Sequence, residues 1–255
     1  MKLSVIIPAR NEEGSIEGTI RGVCAALERE AIAHEVVVVN DGSTDATAGV
    51  AESMSRANKR IRLVHNDGLN GFGRAVRAGI EASTGECVAI VMADASDSPG
   101  DLVRYFRVLE EGYDCAFGSR FIKGSRVVDY PSHKLFLNRA ANWFIRVLFR
   151  LPYNDVTNAF KAYRREVIAL SQPLIAPHFN LTVELPLKAI VRGCSYKVIP
   201  ISWTNRKSGI SKLKIKEMGS RYLFIVLSAL AEKHLSRGDY KRGTKPADNA
   251  NAKHA

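Results

Sequence analysis

A chain of 255 residues with 46% hydrophobic and 25% charged side chains has a globular composition, which excludes a disordered or fibrous protein. Its net charge of +11 is unevenly placed: residues 1–118 hold 12 basic and 18 acidic side chains, residues 119–255 hold 25 and 8, so a metal or neutral group suits the first half and an anionic partner the second. The longest apolar stretch, 222–231, is too short to span a membrane and MKLSVIIPARNEE has no small-residue cleavage site, so a cytoplasmic protein is expected.

Five short apolar runs read as strands: 3–8 (LSVIIP), 35–40 (EVVVVN), 61–65 (IRLVH), 87–92 (CVAIVM) and 115–118 (CAFG). Between them, residues 15–30, 45–57, 72–82 and 101–111 repeat apolar side chains three or four apart, the helical spacing. Strands apolar on both faces and alternating with helices predict an α/β fold, a mostly parallel sheet covered on both sides. Ligands then belong at the carboxyl ends of the strands.

Beyond residue 120 the alternation breaks. A helix is predicted over 134–148, apolar on one side with Arg139 and Arg146 on another, followed by the loop PYNDVTNAF and a short extended piece. A helix near 182–192, a strand over 196–201, the polar loop SWTNRKSGISKLK and a helix over 215–235 complete the order. From Ser236 the tail offers only Tyr240 and alanines for burial, so 236–255 is expected to be disordered after a single domain of 1–235. Cys24, Cys87, Cys115 and Cys194 lack the spacing of a zinc or redox motif and are expected as buried thiols.

The segments after the predicted strands carry the chemistry. DGSTD, residues 41–45, is either a plain strand-to-helix loop capped by Thr44 or Asp45, or a loop presenting Asp41 to a nucleobase or ribose. ADASDSPGD, residues 93–101, gathers Asp94, Asp97 and Asp101. Asp101 opens a helix, whereas Asp94, directly after a buried strand, either pairs with a base or holds a hard divalent cation. LNGFGRA is neither a dinucleotide fingerprint nor a P-loop and reads as a tight turn into a helix. Arg120 and Arg206 sit at or just past strand ends, where a guanidinium fork can hold a phosphate bidentately, while Lys214 and Lys216 are as readily a solvated face. The acidic first half and the lack of an interleaved aromatic platform argue against nucleic acid as the partner.

Taken in order over residues 3–235, IIPARNEE, VVVNDGSTD, GFGRA, VMADASDSP, GSRF, NDVTNAFKAY and NRKSGISKL resemble a family 2 glycosyltransferase of the GT-A fold, in the branch of dolichol-phosphate mannosyltransferases and other polyprenyl-phosphate glycosyltransferases. The resemblance implies a nucleotide-sugar half, 1–118, whose Pro8, Arg10, Glu12, Asp41 and Ser43 hold the donor nucleotide, and an acceptor half, 119–235. It implies a divalent cation, Mg²⁺ or Mn²⁺, on Asp94, with Ser96 or Asp97 completing a site in which Met92 replaces the first carboxylate of the family's Asp-x-Asp. Arg120, Lys134, Asn138, Arg206, Ser211 and Lys212 fall where the family binds the acceptor phosphate and closes a loop over the donor; Lys134 and Asn138 stand where the mannosyltransferases have Arg and Ser. Asp155 is expected to touch the sugar, and Glu184 either to join the site or to pair with an arginine. The resemblance thus implies Asp94, Arg120, Asp155 and Arg206 as the catalytic set.

The implied reaction is inverting transfer of a sugar, most simply mannose from GDP-mannose, to a polyprenyl phosphate. A phosphate monoester, with a second pKa near 6, is already a nucleophile at pH 7 and requires no base. The alternative, a glycan hydroxyl acceptor, would need a positioned carboxylate, for which Asp155 is the candidate. The 215–235 helix, flanked by Lys214, Lys216, Arg221, Lys233 and Arg237, is expected either to pack on the core or to lie on an anionic membrane surface, giving peripheral attachment to the membrane or to an anchored partner.

Overall fold

The computed structural model describes residues 1–205 and 215–243. The apolar runs become β1 (Leu3–Ala9), β2 (His34–Asn40), β3 (Ile61–His65), β4 (Cys87–Ile90) and β5 (Cys115–Ser119). Two further strands, β7 (Lys161–Arg164) and β8 (Tyr196–Pro200), complete a seven-stranded sheet in the order β3-β2-β1-β4-β7-β5-β8. Every neighbouring pair is parallel except those of β7, which runs antiparallel between β4 and β5.

The two-residue alternation of the strands divides the core into two layers. Ile6, Val37 and Val39 point to the face covered by α3 (Phe72–Ala82), α7 (Leu181–Val191) and α8 (Ile215–Leu235). Val5, Ile7, Val36 and Val38 point to the other, under α1 (Ile16–Arg29), α2 (Thr47–Ala57) and α4 (Pro99–Glu110). The register that sets Ile6 opposite Val37 and Ile90 keeps each layer continuous across strands. All four cysteines are buried and free, and burial pushes the Cys194 thiol up to about 11.

Three elements were not legible from periodicity. α6 (Arg165–Leu170) follows β7 directly, and the three-residue strands β6 (Arg126–Val128) and β9 (Ser202–Thr204) form a separate parallel ribbon where a polar loop was expected. Strands of three residues are too short to display an alternation. α5 (Ser132–Phe149) buries Asn142, Ile145 and Phe149 and, contrary to the one-sided pattern expected, leaves Phe136, Trp143, Phe144 and Val147 exposed. α8 buries Ile225, Val226 and Ala229 in the core while Leu223, Phe224 and Leu227 remain exposed. Among the described residues no helix is long and apolar enough to cross a membrane.

Of the tail expected to be disordered from Ser236 onward, residues 236–243 are described. Arg242 pairs with Asp114 and Glu166, its backbone N–H donates to the Arg192 carbonyl, and Tyr240 packs on the Arg192 guanidinium. Asp114 is buried and Glu166 exposed, so this segment meets the domain through ion pairs and a cation–ring contact.

Candidate functional site

One cleft of about 720 Å³ opens at the carboxyl ends of the parallel strands. Of the predicted residues, Pro8, Arg10, Glu12, Asp41, Asp94, Asp97, Arg120, Lys134 and Asn138 all line it. Ser43 and Ser96 are not on its wall. The Ser43 hydroxyl accepts from the Asn11 N–H, while Ser96 is buried, its N–H donating to Asp94 Oδ1 and its carbonyl accepting from the Thr204 N–H. Arg206, Ser211 and Lys212 lie outside the described residues.

On the donor side, Asp41 directly follows β2 and is buried, and its carboxylate accepts the Gly71 N–H at 2.9 Å and the Asn66 amide at 2.7 Å. The carboxylate thus meets the positive end of α3, as a helix N-terminus prefers. Gly71 is required there because a Cβ would stand 2.3 Å from the Pro177 carbonyl. After β4 the chain folds back on itself: the Met92 N–H donates to Asp97 Oδ2 at 3.0 Å, and Ala95 adopts a left-handed φ of 58° between the two aspartates. Such a backbone costs a non-glycine residue of order 1 kcal/mol. Burial pushes the Asp97 carboxyl up to about 7, with repulsion from Asp94 and Asp101 adding to it and the Met92 N–H and Arg120 opposing. Two carboxylates confined together at a strand end fit a hard cation that takes one or two protein carboxylates and completes its shell from a substrate diphosphate. Met92 itself contributes only its backbone.

On the acceptor side, Arg120 follows β5 and is 8% exposed. Its backbone N–H and Nε donate to Asp155 Oδ2 at 2.9 Å, and Nη2 donates to Oδ1 at 2.8 Å. Asp155 holds the guanidinium above its ordinary pKa against the opposing pull of burial. The rings of Phe121, Tyr130 and Trp203 surround the same guanidinium at 5.3, 5.5 and 5.9 Å. Asp155, expected to touch the sugar, has no exposed surface and is not part of the cleft wall. Its carboxylate is consumed by Arg120, which makes it a counterion. Glu184 is corrected likewise: it is buried, accepts the N–H groups of Ile175 and Ala176, and pairs with Lys188 instead of an arginine.

Lys134 and Asn138 stand one helical turn apart on α5, and Asn138 donates to Thr157 Oγ1 at 2.9 Å. Tyr130, Thr157 and Trp203 are wall residues that sequence reasoning missed. The ribbon brings Trp203 beside Tyr130, with centroids 4.8 Å apart, and bridges it to Asp97, so the acidic loop and the aromatic wall are joined. The aromatic residues themselves were the available signal, but no spacing tied them to Arg120.

Comparison with known proteins agrees with this fold. Residues 4–170 match the family described as glycosyl transferase family 2. The chain is 33% identical over 219 residues to polyprenol monophosphomannose synthase of Mycolicibacterium smegmatis, covering 82% of this chain and 80% of the relative. It is 29% identical over 222 residues to dolichol-phosphate mannosyltransferase of Pyrococcus furiosus, covering 85% of this chain and 60% of that one. The fold is similar to that of glucosyl-3-phosphoglycerate synthase from Mycobacterium tuberculosis in complex with Mn²⁺, UDP-glucose and phosphoglyceric acid, with a TM-score of 0.70, 19% identity, and coverage of 90% of this chain and 80% of the other.

Proposed function

We propose that this chain, which belongs to glycosyl transferase family 2 and is therefore a glycosyltransferase, moves mannose from GDP-mannose onto the phosphate of a polyprenyl phosphate with inversion. One observation carries the reading. Arg120, fixed by Asp155, lines one cleft together with Lys134 and Asn138, and the carboxylates at the strand ends line the same cleft. An anionic acceptor matches the first group and a cation-bound diphosphate the second. The names of the mycobacterial and archaeal relatives supply the sugar and the lipid.

Asp41, with Pro8, Arg10 and Glu12 beside it, is placed to orient the donor nucleotide. Asp94 and Asp97 would hold Mg²⁺ or Mn²⁺, whose charge offsets that gathering on the departing diphosphate. Arg120 and Lys134 orient the acceptor phosphate so that its oxygen approaches the anomeric carbon from the face opposite the leaving group. That oxygen forms the new C–O bond as the bond to the nucleoside diphosphate breaks. The phosphate is ionised at neutral pH and yields no proton, so the sequestration of Asp155 removes nothing that the reaction needs.

The exposed apolar side chains of α5 and α8, on helices joined where the Lys233 ammonium meets the Phe149 carbonyl at 2.7 Å, support peripheral contact with the cytoplasmic face of an anionic membrane. A lipid acceptor has to be met at that surface.

Labelled GDP-mannose, UDP-glucose and UDP-GlcNAc, each with Mg²⁺, Mn²⁺ or EDTA, should yield extractable lipid label only from GDP-mannose with metal present. Donor binding by calorimetry without transfer from any donor would exclude the lipid acceptor and direct the search to glycan hydroxyls.

A further inference from the structure

Lys161 opens β7 in the middle of the sheet and is 1% exposed, a burial that lysine almost never accepts without a partner. Among the described residues it has no salt-bridge partner. Its ammonium donates instead to three backbone carbonyls: Val156 at 2.9 Å, Thr182 at 3.2 Å, and Asn158. Three acceptors match the three N–H donors of a charged lysine; a neutral amine would have two and turn a lone pair toward the third carbonyl.

Val156 and Asn158 belong to the turn between Asp155 and Asn158, which the Asn158 N–H closes on the Asp155 carbonyl. Thr182 lies in the first turn of α7. Asp155 holds Arg120, and Thr157 Oγ1 accepts from the side-chain amides of Asn138 and Asn142. We propose that Lys161 is a positioning residue of the acceptor side: its ammonium ties the 155–158 turn to α7 through three carbonyls and thereby sets both Arg120 and Asn138. What those two residues hold rests on the proposed reaction; their placement by Lys161 does not.

The charged and titratable groups facing Lys161 are Asp155 on the turn and Arg120 at the end of β5, with the Tyr222 hydroxyl of α8 beyond Thr182. Burial pushes the ammonium down to about 7, Asp155 opposing and Arg120 assisting. In the unfolded chain the lysine keeps its proton to about 10.5. Between these values the unfolded state binds more protons, so this group makes the fold more stable as pH rises. The clamp needs the third proton and is lost as pH passes about 7, at the start of that rise. Stability and acceptor handling therefore move in opposite directions above neutrality.

The test follows the Arg120 Nε–H resonance by ¹⁵N NMR without acceptor, beside transfer kinetics, in the wild type, Lys161→Met and Lys161→Arg. In Lys161→Met the resonance shifts, and kcat/KM for the acceptor falls about tenfold with the donor KM unchanged, the loss expected for a charged hydrogen-bond network. In the wild type both quantities change together from about pH 6 to about pH 8, where Asp97 also titrates beside Arg120, and Lys161→Arg, charged throughout, removes the part of the change that belongs to Lys161. A folded Lys161→Met with wild-type Arg120 resonance and acceptor kinetics overturns the proposal, as does a Lys161→Arg variant that keeps the wild-type pH dependence. If Lys161→Met does not fold, the comparison of Lys161→Arg with the wild type decides. A wild type whose resonance follows pH as expected, yet which transfers nothing to polyprenyl phosphate, supports the clamp and refutes the acceptor.

Discussion

A carboxylate with no exposed surface and three hydrogen bonds from a single arginine is a counterion, and Asp155 is in that position. Replacing it with asparagine leaves the Arg120 guanidinium buried without a compensating charge, a loss of about 3 kcal/mol. For a chain of this size the melting midpoint then falls by about 6–12 °C. Turnover falls about tenfold, through Arg120 misplacement, because a phosphate acceptor uses no base. A general base at this position would show the opposite pattern, turnover down by about 10²–10⁴ with the melting midpoint little changed. Calorimetric melting of Asp155→Asn beside its steady-state rate separates the two. Sequence position alone could not make this distinction, since Asp155 lies in a loop with family likeness and its partner is 35 residues away.

At the scale of elements, the strands and helices of the first half were legible because each apolar run is buried on both faces or along one stripe. β7 was legible only as an extended piece, since its first residue is a lysine that no periodicity places in a core. The ribbon of β6 and β9, which supplies Trp203 to the site, was invisible for want of length. One buried polar group in the sheet has a consequence for acid stability. Burial raises the Glu35 carboxyl, but bonds from the Ser4 hydroxyl and from the Thr84 N–H and hydroxyl outweigh it and bring the group down to about 2. A depressed carboxyl stabilises the fold fully above its unfolded value and loses that contribution as pH falls from about 4.5 toward 2, an amount of about 2–3 kcal/mol. Urea titrations across that range should show the decline in the wild type and a flatter profile in Glu35→Gln. The outward faces of α5 and α8 carry a second expectation. Trp143→Asp and Phe144→Asp remove exposed apolar surface at positions that do not belong to the buried core, so folding and donor affinity stay unchanged while co-sedimentation with anionic liposomes falls about tenfold or more. Unchanged sedimentation would assign these faces to something other than lipid. Deleting α8 would not serve as this test, because Ile225, Val226 and Ala229 are core residues.

At the scale of the whole molecule, both halves of the charge division visible in the sequence contribute to the lining of one cleft. The acidic half ends its strands with Asp41, Asp94 and Asp97, and the basic half contributes Arg120 and Lys134. Charges of one sign gathered in a low-dielectric wall raise the local concentration of their counterions and resist ligands of the same sign. A nucleoside diphosphate brought among Glu12, Asp41, Asp94 and Asp97, with Arg10 beside them, meets an acidic excess unless a cation accompanies it, whereas contact with an anionic surface on the basic side needs none. The donor groups and the basic half therefore respond to different perturbations. Calorimetry of GDP binding should show affinity falling at least about tenfold when EDTA replaces Mn²⁺, and Asp94→Asn with Asp97→Asn should reproduce that loss with metal present. Liposome binding should ignore EDTA and weaken as salt rises from about 50 to about 500 mM, where the screening length drops below about 5 Å. Equal GDP affinity with and without metal would remove Asp94 and Asp97 from the donor site. Liposome binding insensitive to salt would leave the apolar faces of α5 and α8 as its sole source and detach the basic excess from the membrane.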